Sequence, residues 1–154
     1  MSDTPRKKKP ERPRDELGRP QPWDAENALE MEDFDSLPRE ENHRLGMAHF
    51  NAGRYFPAHE AWETAWKQAK GTDDAEFFKG LSQLGAGYVH LLRGNAHGAR
   101  TLLRRAASRV GRYPEAHHGI DTGAVAARAE ADAAAVDRGE LVPGPTAIAD
   151  PPRV

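Results

Sequence analysis

The 154-residue chain has no cysteine, which excludes disulfides, thiolate metal sites and a cysteine nucleophile. It has no run of 18 apolar residues, and Met1 to Pro20 lacks the apolar stretch of a secretion signal. A cytoplasmic protein with no membrane partner is therefore expected. Alternating apolar and polar residues, the mark of half-buried strands, are also missing, so the expected class is all-α. What remains is 38% hydrophobic residues in a chain long enough for one compact domain and too short for two large ones.

The net charge of -2 hides an uneven distribution. Met1 to Pro20 holds seven Lys/Arg, including Lys7, Lys8 and Lys9, against four acids, whereas Gln21 to His43 holds eight acids and one Arg. Pro10, Pro13, Pro20 and Pro22 interrupt regular structure there, and little apolar surface exists to offset the entropy of ordering. Residues 1–36 are expected to form a disordered, charge-polarised leader. Residues 37–138 are expected to form a helical bundle, and residues 139–154, with four prolines, a proline-rich tail.

Helix punctuation sets the bundle. Pro38 suits a first helical turn and Gly53 follows the last periodic residue, giving a helix from about Arg39 to Ala52. Pro57 opens a second helix, which Gly71 closes. Asp73 and Asp74 place negative charge at the start of a third, which ends at Gly94. Asn95 caps a fourth, stopped by Gly111 and Pro114. An alanine-rich fifth runs from Gly123 to Arg138. Ala58, Trp62, Ala65, Trp66 and Ala69 make one apolar stripe, and Phe77, Leu81, Leu84, Tyr88 and Leu91 another. Short links make consecutive helices antiparallel, predicting an up-and-down bundle of four to five helices. An echo at an offset of 41, Gly53 with Gly94, Ala58 with Ala99, Ala65 with Ala106 and His49 with His90, gives the pairs a tetratricopeptide-like hairpin pattern.

Four polar residues stand out from these faces. His59 and Glu63 are four apart and can touch, beside the apolar stripe. Gln83 and His90 lie two turns apart on the third helix. Gly80 and Gly87 cost that helix about 1 kcal/mol each relative to alanine, which close approach of a neighbouring helix or room for a ligand would explain. If the second and third helices pack antiparallel, the four polar side chains converge. Two imidazoles and a carboxylate can hold a divalent metal, and a His–Glu pair can act as a general base. The HEAWE segment departs from the HExxH zinc-protease motif, since Glu63 stands where the second histidine belongs. Trp62 and Trp66 are read as core. From Phe77 to Pro114 there is no acid and there are seven Lys/Arg, so Arg100, Arg104 and Arg105, with the basic leader, make a candidate nucleic-acid surface. His117 and His118 fall in a loop and receive no role.

The segment Phe50-Asn51-x-Gly53-x-Tyr55-Phe56-x-x-His59-Glu60-x-x-Glu63-x-x-Trp66, followed by Gly80-Leu81-x-Gln83, His90 and Arg93-Gly94-Asn95-x-x-Gly98-Ala99, resembles the prokaryotic family catalogued as domain of unknown function 309. The resemblance covers roughly residues 37–110. It implies a small helical bundle with the His59-Glu60-x-x-Glu63 segment as its signature on the second helix, and it supplies no activity. Pro57-Ala58 departs from the acidic or polar residue that often precedes the histidine.

The reading carried forward is a structural or protein-interaction module with a polar cluster of His59, Glu60, Glu63, Gln83 and His90, and a protein as its partner. One alternative is a small-molecule or metal-dependent enzyme using His59, Glu63 and His90, with a divalent metal as its cofactor. The other is a nucleic-acid accessory protein using the Arg-rich fourth helix.

Overall fold

In the computed structural model the described residues are 12–154. The basic run Lys7 to Lys9 and most of the expected disordered leader's positive charge lie outside them. The chain divides into two compact units, residues 1–30 and residues 31–154.

In the first unit a turn is organised by one carboxylate. Asp15 Oδ1 accepts from the backbone N–H of Leu17 (3.0 Å) and of Arg19 (2.8 Å), while Arg19 Nε donates to Asp15 Oδ2 at 2.6 Å. Gly18, at φ +77°, supplies the left-handed residue that the reversal needs. The segment from residue 12 onward thus has local order that its composition did not announce. The reason is an Asx-type turn, which needs one side chain and no apolar core.

The second unit is all-α. After a single 3-10 turn at Phe34–Ser36 come α1 (Arg39–Asn51), α2 (Tyr55–Gln68), α3 (Ala75–Leu92), α4 (Ala96–Val110) and α5 (Thr122–Asp137). The register of close contacts runs backwards along each neighbouring pair. Gly46 of α1 lies under Trp62 of α2, and Asn42 reaches Gln68. His59 and Trp66 of α2 lie at Gly85 and Lys79 of α3; Gly87 and Gly80 of α3 meet Leu103 and Arg109 of α4; and Arg100 and Arg104 of α4 meet Asp137 and Glu130 of α5. Consecutive helices are therefore antiparallel, as short links demand. At Gly80 and Gly87 a Cβ would come within 2.9 Å of Arg109 Cβ and 2.8 Å of Leu103 Cδ2. These glycines lie where α4 crosses α3 closely.

The core runs through all five helices and includes Phe50, Trp62, Phe77, Leu81, Tyr88, Leu103 and Val110, each almost wholly buried. Each fully buried apolar side chain of this size contributes about 1.5–3 kcal/mol. Among the described residues no helix is long and apolar enough to cross a membrane.

Two features were not expected. Between α4 and α5 the chain forms a small antiparallel hairpin, β1 (Ala116–His117) and β2 (Ile120–Asp121), turned by His118 and Gly119. Strands of two residues are too short to show any alternation, so periodicity could not reveal them. The proline-rich tail is also docked. Gly144 N–H donates to the Leu91 carbonyl (2.8 Å), Val154 exchanges two hydrogen bonds with the Asn51 side chain (3.1 and 2.8 Å), and Leu141, Ile148 and Val154 pack on the core.

Candidate functional site

His59 owes its position to a glycine. Where α2 crosses α3, a Cβ on Gly85 would lie 2.9 Å from His59 N and 3.1 Å from its Cα, so the two backbones touch without side chains between them. At that separation the His59 ring reaches the α3 backbone. His59 Nδ1–H donates to the Ser82 carbonyl at 2.8 Å, with Ser82 Oγ also 2.9 Å away, and Ser82 Oγ–H donates to the His59 carbonyl at 3.3 Å. A carbonyl can only accept, so Nδ1 carries the proton and Nε2 of the neutral ring presents its lone pair.

That lone pair faces carboxylate. Glu63 Oε2 lies 3.6 Å from His59 Nε2, too long for a hydrogen bond, with the two side chains 25% and 34% exposed. The ligand atoms of His59, Glu60 and Glu63 all fall within 4.8 Å of one another, on residues that are each half-buried. One imidazole nitrogen and two carboxylates at this spacing are a donor set that a cation can join. Lys67 Nζ approaches Glu63 Oε1 no closer than 3.8 Å.

The other two members of the expected quartet belong to a different seam. Gln83 Oε1 accepts from Arg109 Nη1 at 3.0 Å, and Arg109 Nε also donates to Glu76 (2.9 Å), so this cluster ties α3 to α4. His90 Nδ1 accepts from the Asn95 side-chain amide at 3.1 Å, while Asn95 Oδ1 accepts from Gly98 N–H at 3.0 Å as the α4 N-cap. Burial pushes the His90 pKa below its ordinary value, and Arg93 and His59 push it the same way. Its proton therefore sits on Nε2, the reverse of the His59 tautomer, and the Asn95 amide at Nδ1 holds it there.

Trp62 is fully buried, and its Nε1–H donates to His43 Nδ1 at 3.0 Å. Trp66 is half-buried beneath the Lys70 and Lys79 ammonium groups, 5.4 and 5.3 Å from its ring. On the Arg-rich α4, Arg100 and Arg104 both pair with Asp137 of α5, Arg104 also lies 3.7 Å from Glu130, and Arg109 pairs with Glu76. Acids distant in sequence thus neutralise most of the stripe, while Arg105 remains exposed.

A second cluster had no role in the sequence reading. His117 Nε2 and His118 Nε2 each lie 2.7 Å from one oxygen of Asp74. His43 Nε2–H donates to the His118 carbonyl at 2.8 Å, which links the cluster to Trp62. Burial tends to raise the Asp74 pKa, but the hydrogen bonds from His118 and His117 outweigh it and hold the carboxyl below the usual range. The only advance signal was a His-His-Gly sequence, where glycine permits a tight turn.

Residues 43–102 match the model of the family described as Domain of unknown function (DUF309). No curated protein and no solved structure matches the chain.

Proposed function

We propose that residues 43–102, the segment that matches DUF309, bind a divalent metal ion through His59 Nε2 and the carboxylates of Glu60 and Glu63. The observation that carries this reading is the 2.8 Å contact of His59 Nδ1 with the Ser82 carbonyl, which assigns the tautomer. With Nδ1–H held by the Ser82 carbonyl, Nε2 turns a lone pair toward Glu63 Oε2 at 3.6 Å, two acceptors with no proton between them. A cation removes the repulsion. A carbonyl that fixes the far nitrogen of a ligating histidine is the usual support for such a ligand. One imidazole and two carboxylates suit a zinc-like or manganese-like ion. Three protein ligands leave positions open for water or a substrate oxygen, the arrangement in which a metal acts as a Lewis acid.

A protein-interaction or packing role is the second reading, favoured by Gln83–Arg109 and His90–Asn95, which tie helices together. In that reading His59 and Glu63 form a local ion pair when the ring is protonated. One experiment separates the two. Protein without an affinity tag is dialysed against Zn²⁺ and its metal counted by mass spectrometry, beside Glu60→Gln/Glu63→Gln. Metal binding predicts one fewer equivalent in the variant, with the helical circular dichroism unchanged. Equal metal content in both proteins sinks the proposal and leaves the packing role.

A further inference from the structure

The hairpin between α4 and α5 brings together three side chains that the α2 site does not use. Asp74 precedes α3, His117 ends β1, and His118 is the next residue, in the turn. Adjacent residues of an extended strand point to opposite faces. Here they do not. His118 sits at φ +47°, the sole non-glycine residue with positive φ among the described residues, and Gly119 follows at φ +77°. That turn folds both imidazoles to the same side, so that each Nε2 reaches a different oxygen of one carboxylate at 2.7 Å. A left-handed non-glycine residue costs about 1–3 kcal/mol and persists only where its surroundings enforce it.

The surroundings do enforce it. The His117 ring is stacked on Tyr113 (centroids 5.0 Å) and edge-on to Phe77 (4.8 Å), and His118 lies 5.7 Å from both Phe77 and Phe78. Tyr113 Oη–H donates to the Asp73 carbonyl at 2.6 Å, anchoring that wall to the start of α3. Buried His43 grips the His118 carbonyl from behind. Rings and carboxylate are thus held by packing rather than by their mutual contact alone. The cluster is still open to solvent, with side chains 23%, 37% and 22% exposed for His117, His118 and Asp74.

We propose that His117, His118 and Asp74 form a second metal site, which takes a first-row divalent transition metal through both Nε2 atoms and the carboxylate. Two imidazoles and one carboxylate within 4.8 Å of one another match the ligand set that such ions prefer, and the same set leaves further positions open. To bind, each imidazole must clear Nε2 of its proton: a ring with one proton moves it to Nδ1, and a ring with two releases one to solvent. Neighbouring ligands around an ion with bonds of about 2.0–2.2 Å lie roughly 2.8–3.6 Å apart, so the nitrogen–oxygen separations of 2.7 Å must open by a few tenths of an ångström or more. Asp74 lies within residues 43–102, His117 and His118 lie beyond them, and the site shares no ligand with His59, Glu60 or Glu63.

The test uses Co²⁺, whose visible absorption reports its ligands, on the full untagged chain carrying Glu60→Gln/Glu63→Gln. Removing the first site makes the two proposals separable. One equivalent of Co²⁺ is expected to bind with a visible spectrum, and addition of Asp74→Asn or His118→Gln should weaken it at least tenfold. Two substitutions on different elements guard against one that simply unfolds the hairpin, and circular dichroism with the Tyr113 near-ultraviolet signal checks both. No Co²⁺ bound by the Glu60→Gln/Glu63→Gln protein overturns the proposal. So does binding that survives both added substitutions.

Discussion

His43 shows how much one residue can organise without touching a ligand. It is buried between Trp62, Phe77, Phe78 and His118, accepts from the Trp62 indole at Nδ1 and donates from Nε2 to the His118 carbonyl. Burial pushes its pKa below the ordinary 6.5, and the charges of His118 and His117 add to that, against the hydrogen bond to the His118 carbonyl. The native state therefore resists a proton that the unfolded chain accepts. The stability this contributes is intact above about pH 6.5 and is lost as pH falls through 6.5 toward the lower folded value. His90 acts in the same direction, whereas Asp74 matters only in the carboxylate range. Urea unfolding at pH 7.5 and pH 5.0 should show this loss, with a slope of at most about 1.4 kcal/mol per pH unit for each histidine. A flat profile would mean that His43 protonates freely. Asn95 offers a second residue-level test. Its side chain caps α4 and holds His90, so Asn95→Ala should cost about 1–2 kcal/mol in thermal or urea unfolding. Both partners of Asn95 are local, and its capping role was readable in the sequence. The partners of His43 are 19 and 75 residues away, and no spacing rule reaches that far.

Among the elements, α2 and α3 decide whether the site exists. Gly85→Ala would gain about 1 kcal/mol in helix propensity. Against that, the new methyl meets the α2 backbone at 2.9 Å, and backbone cannot rotate aside as a side chain can. Overpacking of that kind costs about 1–3 kcal/mol, and separating the helices also weakens the His59–Ser82 bonds, worth about 1 kcal/mol. A net loss of stability is expected, together with weaker metal binding. Unchanged thermal unfolding would show that the crossing is looser than the contact distance implies. Helix boundaries were largely legible. Glycines at 53, 71 and 94 with left-handed φ follow α1, α2 and α3, and Asn95 and Asp121 cap α4 and α5 through their side chains. The register was not legible. His59 and Glu63 share a face by spacing alone, but whether Gln83 points at α2 or at α4 depends on which helix lies over which side of α3. Arg109 on α4 claims it.

For the unit of residues 31–154, the tail is part of the fold. Composition marked residues 139–154 only as a proline-rich tail, and proline does not prevent docking. Asn51 holds Val154 by two hydrogen bonds, and Arg128 donates to the Asp150 carbonyl. Asn51→Ala should destabilise the protein by about 1–2 kcal/mol and speed amide exchange at Val154, while leaving α2 protected. Exchange at Val154 as slow as in the parent would mean that apolar packing alone secures the tail. The two metal-ligand clusters differ in how far the sequence announces them. His59, Glu60 and Glu63 lie within five residues on one helix, whereas Asp74 meets His117 and His118 only after α3 and α4 have folded back.

The most direct measurement is a crystal structure of Zn²⁺-soaked protein with data collected at the zinc absorption edge. The account predicts an anomalous peak about 2.0–2.1 Å from His59 Nε2 and about 2.0–2.2 Å from carboxylate oxygens of Glu60 and Glu63. No peak there, with His59 Nε2 instead donating directly to Glu63, would contradict it.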